Sequence, residues 1–283
     1  MEPTSEVGLI PTTIPTPTSI PTVSLGLVGD LGLGRFITST SRKKGDFSWS
    51  FQKISPWLIS HDFNIANLES PIIEDCPEGK TGTFTFCGDT QFLPYLKSNK
   101  LVLNLANNHI LNYGVDGLTQ TRNYLSQNNI IFFPDFATKT INGITFGFLG
   151  YDFITYPKLP QETLISDINK YDSTVDWLVV SIHWGNEYLP AAETWRVNLA
   201  HQLVDAGADI IHGHHPHVWQ SYEVYQDKPI FYSFGNFIFD QSWSYETSHS
   251  QIGELTLSKT KMENLKLYPI EIKFNTQPGL MEP

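Results

Sequence analysis

From Val23 onward the sequence alternates short apolar runs with amphipathic stretches, and few architectures accommodate that alternation. The runs cover residues 23–28, 63–66, 101–105, 144–149, 178–182, 210–211 and 230–233. Each is too short for a buried helix and reads as a strand. Between them, residues 117–127 carry Leu118, Tyr124 and Leu125 at helical spacing. Residues 192–206 carry Trp195, Leu199, Leu203 and Val204 in the same way, before a helix-ending Gly207. Strand–helix alternation predicts an α/β domain with a largely parallel sheet. Residues 254–257 and 265–273 read as two further strands joined by a polar turn, completing the edge of a second sheet.

The polar residues gather where the strands end. Asp30 follows the first run, and Asn67 and Glu69 the second. Asn107, Asn108 and His109 follow the third, His183 a later one, and His212, His214, His215 and His217 the next. Ligands of open α/β sheets bind outside the carboxyl ends of strands, so this shared placement predicts one site. Imidazole, carboxylate and carboxamide together suit one or two divalent transition metals such as Mn, Fe or Zn. The predicted ligands are Asp30, Glu69, Asn108, His183 and members of the His214, His215 and His217 group. Each has a plainer reading. A lone Asp after a strand can cap a helix, Asn108 can form a turn, and His183 beside Trp184 can be a packed core ring. Several clustered imidazoles are harder to explain away, because burying them requires partners. His201, inside a predicted helix, is read as a packed residue outside the site.

Other templates fit less well. There is no G-x-S-x-G elbow and no Walker loop. The GDLGLG stretch at residues 29–34 is glycine-rich, which would let backbone approach a bound anion. Cys76 and Cys87, eleven residues apart, match no zinc-finger spacing; a disulfide and two small apolar side chains both remain open. With 29 acidic against 18 basic residues the net charge is −11, which disfavours nucleic acid and anionic membranes as partners. The basic residues cluster only at Arg42, Lys43 and Lys44, preceded by Arg35, and read as a solvated loop. No apolar run approaches the roughly 18 residues of a membrane span, and no signal peptide is expected. Residues 1–22, rich in proline and threonine, predict an extended, disordered linker or stalk. One domain over 23–275 and a flexible tail over 276–283 complete the expected organisation.

In sequence order the motifs GD, NLESP, LANNH, YG, HWGNEY, GHHPHV and YSFGNFIFD resemble the CapA-type capsule synthesis and poly-γ-glutamate biosynthesis proteins. That family falls within the calcineurin-like metallophosphoesterase superfamily. The resemblance runs from about Val23 to Pro269. It implies a sandwich of two mixed sheets flanked by helices, with metals at the strand ends. It implies that Asp30 is the first-motif ligand, that Glu69 replaces a bridging aspartate, and that Asn108 is a ligand beside His109, a candidate acid. His183 matches the fourth-motif histidine, and His215 with His217 the His-x-His pair, with His214 an adjacent candidate. Two departures stand out. The superfamily's Asp-x-His is Asp30-Leu31-Gly32 here, one histidine fewer, and Asn112 stands where many relatives carry Asp.

The implied activity is hydrolysis of a phosphoester by water activated at the metal. His109 would protonate the leaving group, and Arg35 or a clustered histidine would hold the anionic substrate. Capsule or poly-γ-glutamate production at the cell surface, with an anionic polymer and membrane synthase components as partners, is implied by the resemblance alone. Two other readings are a non-catalytic, metal-bearing component of such an assembly and an amide hydrolase acting on the polymer.

Overall fold

Strand β1, Thr22–Leu31, shows how the layers arise. Successive side chains on a strand point to opposite faces. Val23, Leu25 and Leu27 therefore enter a core between two sheets, while Val28 enters a second core beneath helices, joined there by Leu31 because the strand register shifts between Leu27 and Asp30 and again at Leu31. Burial on both faces explains why the run is almost continuously apolar. The structure, a computed structural model, describes residues 20–78 and 84–281.

In chain order there follow α1 (Arg35–Lys44), α2 (Ser55–Ser60), β2 (Phe63–Leu68), β3 (Ile72–Ile73), β4 (Gly88–Asp89), α3 (Leu93–Ser98), β5 (Leu101–Asn104) and α4 (Gly114–Gln127). The middle of the chain forms β6 (Phe132–Phe133), β7 (Ala137–Ile141), β8 (Ile144–Asp152), α5 (Gln161–Tyr171), β9 (Trp177–His183), α6 (Thr194–Asp205) and β10 (Ile210–His214). The last elements are β11 (Trp219–Tyr225), β12 (Lys228–Phe234), β13 (Asn236–Ile238), α7 (Tyr245–Ser248), β14 (His249–Ser258), β15 (Met262–Lys273) and β16 (Gln277–Leu280).

One sheet runs β16-β15-β14-β1-β2-β5-β6, with β13 paired to the end of β1. The second runs β11-β12-β10-β9-β8-β7. In the first, β1, β2, β5 and β6 are parallel and β14 antiparallel to β1. In the second, β8, β9, β10 and β12 are parallel, flanked by antiparallel β7 and β11. Phe63, Phe146, Phe148, Val179 and Phe234 fill the space between the sheets. Residues of α1 to α4 cover the outer face of the first sheet, and those of α5 and α6 cover the second. The α/β sandwich of two mixed sheets flanked by helices is thus present.

Several boundaries differ from the sequence reading. Of the linker over 1–22, residues 1–19 lie outside the described residues, and Thr22 already pairs with Ser258. The tail is not a free end over its described part. β16 pairs antiparallel with β15, and Thr276 and Gln277 are buried. Thr276 Oγ1 accepts from Trp49 Nε1 at 3.1 Å and Gln277 Nε2 donates to Trp49 O at 2.8 Å, so backbone and side-chain bonds hold the segment in place. β14 and β15 extend the sheet that contains β1, not the other one. The glycines of residues 29–34 serve close packing of the chain on itself. A Cβ on Gly29 would collide with the Gly235 carbonyl, which accepts from Asp30 N at 2.9 Å. Cys76 and Cys87 are joined in a disulfide, their Cα atoms 5.8 Å apart.

Phe63 stands edge-on to Phe146 and Phe148, with ring centroids 5.0 and 6.0 Å away and no exposed surface. Phe63→Ala is expected to lower unfolding free energy by about 3–5 kcal/mol, read by urea denaturation. A loss under about 1 kcal/mol would show that the two sheets are not held by this layer.

Candidate metal centre

Five parallel strands deliver the site from their carboxyl ends. Asp30 lies near the end of β1, Glu69 follows β2, Asn107 to His109 follow β5, His183 ends β9 and His214 ends β10. Asp30, Glu69, His183 and His214 have no exposed surface. His215 and His217 leave β10 with φ of 96° and 58°, in the left-handed region that a β-carbon disfavours. These turns split the histidine group. His212 and His214, two apart on one strand, share a face, while His215 and His217 are redirected.

Asn67 clips the carboxylates together. Its Nδ2 lies 2.9 Å from Asp30 Oδ1, 3.2 Å from Glu69 Oε2 and 3.2 Å from His183 Nδ1. Its Oδ1 accepts from Asn104 and Asn107, each at 3.1 Å. Glu69 Oε1, by contrast, is buried with no hydrogen-bond partner. Three ring nitrogens surround it: His217 Nε2 at 3.6 Å, and His109 Nε2 and His183 Nε2 at 3.9 Å each. None is close enough to donate a hydrogen bond.

The hydrogen-bond partners of the other ring atoms fix which nitrogens are bare. Asn236 Nδ2 donates to Thr247 O at 3.0 Å, so its Oδ1, 2.9 Å from His217 Nδ1, must accept the proton of that nitrogen. Phe86 N donates to Asn112 Oδ1 at 3.1 Å, so His109 Nδ1, 3.2 Å away, must donate to it too. In the neutral rings Nε2 of both His109 and His217 is then a lone pair facing a carboxylate oxygen. Lone pairs facing one another are satisfied either by a proton, which burial favours on Glu69, or by a cation that binds them all. Two ligands on one tetrahedral ion at about 2.1 Å stand roughly 3.4 Å apart, close to the spacings found. Asn67 Nδ2 can only donate to His183 Nδ1, so His183 Nε2 carries the proton in the neutral ring and points it at Asn108 Oδ1, 2.9 Å away, with His215 Nδ1 at 3.1 Å; a metal would displace that proton. The donor atoms of Asp30, Glu69 and His183 lie within 4.8 Å of one another, as do those of Glu187, His215 and His217. The residues present fit divalent metal.

The structure thus brings together Asp30, Glu69, Asn108, His109, His183, His215 and His217. His214 lies beneath them with both nitrogens engaged, Nδ1 at Asp30 Oδ1 and Nε2 at His212 Nδ1, each 3.1 Å away. It supports Asp30 and does not face the site. Arg35 is also placed differently from expectation. It forms an ion pair with Asp240, both side chains nearly buried, and lies over Phe86 with 4.8 Å to the ring centroid. Phe36 N donates to the same carboxylate at 3.2 Å. The chain's own Asp240 therefore occupies the place expected for a substrate anion. His201 stays outside the site, bonded to Glu223 at 2.8 Å. Sequence reading passed over Glu187, although it stands in the HWGNEY motif. Its approach depends on Gly185, at φ 84°, where the Arg196 guanidinium comes within 2.7 Å of a Cβ position.

Burial holds His109 down to about 4 and His215 down to about 3, and holds His183 and His212 well below the usual imidazole value. Metal ligation requires such neutral rings. Burial would raise Asp30, but the hydrogen bonds from His214 and His217 outweigh it and hold this carboxyl well below its usual value. Burial, then the charges of Asp30 and Glu187, holds Glu69 well above its own.

The family model of the bacterial capsule synthesis protein PGA_cap matches residues 24–241. The chain belongs to that family. The PGA biosynthesis protein CapA of Bacillus subtilis (strain 168) is 32% identical over 274 residues, 88% of this chain and 72% of that protein. The capsule biosynthesis protein CapA of Bacillus anthracis is 29% identical over 286 residues, 89% of this chain and 68% of that protein. Among solved structures, a hypothetical protein from Thermus thermophilus matches with TM-score 0.58 and 14% identity, covering 88% of this chain and 99% of that one. A Staphylococcus aureus protein assigned as a 5′-nucleotidase matches with TM-score 0.50 and 14% identity, covering 89% and 55%. These likenesses show the fold of this PGA_cap member, which is metallophosphoesterase-like.

The buried rings also set a pH dependence. Because His109, His183, His212 and His215 titrate lower folded than unfolded, the unfolded chain takes up protons first as pH falls through about 6.5. The stability their neutral forms contribute is present above that pH and is lost below it. Asp30, held low, acts in the same sense at lower pH, while Glu69, held high, opposes it as one group against four rings. The metal-free protein is expected to show a urea midpoint that falls between about pH 7 and pH 5. A midpoint that rises over that interval would contradict the assignment of neutral rings.

Proposed function

We propose that this PGA_cap member is a metal-dependent hydrolase of phosphoesters, working in capsule or poly-γ-glutamate production. The observation that carries the reading is Glu69 Oε1, a buried carboxylate oxygen that no hydrogen bond satisfies and that bare imidazole nitrogens face. Glu69, Asn108, His183 and His215 would hold one divalent ion. Asp30, Glu69 and His217 would hold a second, with Glu187 supplying the ligand that Gly32 cannot. A Cβ on Gly32 would meet the Phe239 ring at 2.6 Å, so no histidine side chain fits there. The donor set of imidazole, carboxylate and carboxamide suits Mn, Fe or Zn. Such an ion supplies Lewis acidity and an activated water nucleophile.

The remaining steps belong to the chain. His109 rests on Phe86, ring centroids 4.3 Å apart, and its Nδ1–H is held by Asn112, which aims Nε2 into the site. Burial keeps the ring neutral in the free protein. An anionic phosphoester brought beside Nε2 favours the protonated ring, which then gives its proton to the leaving oxygen. His214 and Asn67 hold Asp30 from below. Arg35, committed to Asp240, shapes the rim. The names of the relatives support a role in surface polymer production, together with polymer and synthase components as partners. Among the described residues no helix is long and apolar enough to cross a membrane. A second reading, a metal-bearing component without turnover, is favoured by one observation: Gly32 removes the first-motif histidine.

Metal content, melting temperature and turnover on the same variants separate the two. His109→Ala is expected to cut turnover of the best phosphoester by roughly 10²–10⁴-fold with bound metal unchanged. Asn108→Ala and His183→Ala are expected to lower bound metal itself. Full activity in His109→Ala would refute the proton-donor role. Bound metal with no turnover on phosphoester and γ-glutamyl substrates would favour the second reading.

A further inference from the structure

The basic cluster of Arg42, Lys43 and Lys44 is not a loop. It forms the last turn of α1, whose first residue, Arg35, lies at the rim of the metal centre. Seven to nine residues of helical rise put the cluster roughly 10–14 Å from Arg35. There it lines a groove of about 960 Å³ with Phe36, Trp49 and Phe274. A second groove of about 540 Å³ adjoins it, shares Phe274 and adds Lys53 and Lys273.

We infer that this double groove binds an anionic polycarboxylate chain and guides it along α1 towards the metal centre. The inference rests on the proposed function and names the polymer that the site would meet. On a chain of net charge −11, a cationic surface needs a reason. Cations in a last helical turn do complement the helix dipole. That explains neither Lys53 nor the aromatic lining. Arg42 is neutralised by Asp89 at 2.6 Å, and Lys273 by Glu271 at 3.2 Å. Lys43, Lys44 and Lys53 have no carboxylate partner among the described residues, and Glu78 is the acid remaining at the rim. The surplus is therefore positive.

The aromatic residues fit a polymer of aliphatic backbone better than one of stacked bases. The Trp49 indole is anchored to Thr276, lies under the Lys44 ammonium at 3.8 Å, and is flanked by Phe274 at 6.3 Å. Its surface is largely taken, so bases would find little to stack on. Phe274, 70% exposed at φ 57°, stands between the two grooves as a fixed apolar ridge. Spaced carboxylates meeting spaced ammonium groups on either side of that ridge gain charge attraction without a buried ion pair.

The test is binding of a fluorescently labelled γ-glutamate oligomer to the full chain by anisotropy at low and high salt. Saturable, salt-sensitive binding is expected. Lys43→Glu/Lys44→Glu should weaken it by roughly tenfold or more, since two surface attractions become repulsions. The reversal also opposes the α1 dipole and removes the Lys44 contact with Trp49, so the variant should melt slightly below the parent, and binding is compared at a temperature where both are fully folded. Lys53→Glu alone should weaken binding less. Absence of binding at low salt, or equal affinity in parent and double variant, overturns the inference. Tighter, Lys43-dependent binding of single-stranded nucleic acid than of the oligomer overturns the choice of polycarboxylate. Because the readout is binding, a protein that binds the oligomer without hydrolysing anything keeps the groove and loses only the hydrolase reading. A working hydrolase whose affinity ignores these lysines loses only the groove.

Discussion

Two carboxylates buried side by side, with one oxygen left bare, set the terms for the rest of this molecule. Asp30 and Glu69 have no exposed surface, and Asn67 touches both. Like charges in a dry site repel, and an ionised group without partners is costly to bury. Asp30 is satisfied by Asn67, His214 and His217, but Glu69 keeps Oε1 unpaired. A divalent ion removes the conflict at once. It replaces the missing hydrogen bond, offsets both charges and gives the bare imidazole nitrogens a common ligand.

The scaffold is arranged to tolerate that conflict before an ion arrives. Parallel strands of two sheets converge on it, so the ligands rest on elements buried on both faces and cannot relax towards water. Strain is placed around the same point. His215, His217 and Tyr188 all adopt positive φ, a conformation held only where the surroundings over-determine it. Arg196, fully buried on α6, packs where a side chain at residue 185 would otherwise stand and so fixes the turn that carries Glu187. Asn112 works in the opposite direction, by holding less tightly. A carboxylate there would hold the His109 proton more strongly, whereas the neutral amide only orients the ring.

Much of the site was legible because it obeys a one-dimensional rule. A polar residue within three positions of the end of an apolar run marks a strand end, and Asp30, Glu69, Asn108 and His183 all meet that rule. The register within GHHPH was not legible. Its answer depends on β10 stopping at His214 and on the positive φ of the next residues, neither of which alternation predicts. Glu187 was invisible for a similar reason, since its placement depends on the positive φ of Gly185 and on Arg196 being buried against that turn, neither of which the residue pattern announces. Strands β7 and β11 escaped notice because both are edge strands with mixed, partly exposed sequence. Helix α1 escaped because Ile37 is the lone aliphatic residue of RFITSTSRKK. The ion pair of Arg35 needed Asp240, 205 residues away, and no local pattern announces such a partner.

Anomalous X-ray scattering from crystals grown without chelator tests the central claim most directly. The account predicts a transition-metal peak bonded to Glu69 Oε1 and to the ring nitrogens of His183 or His217, with bonds of about 2.0–2.2 Å. A map without any anomalous peak there, with Glu69 Oε1 instead hydrogen-bonded to water or to a histidine, would contradict it.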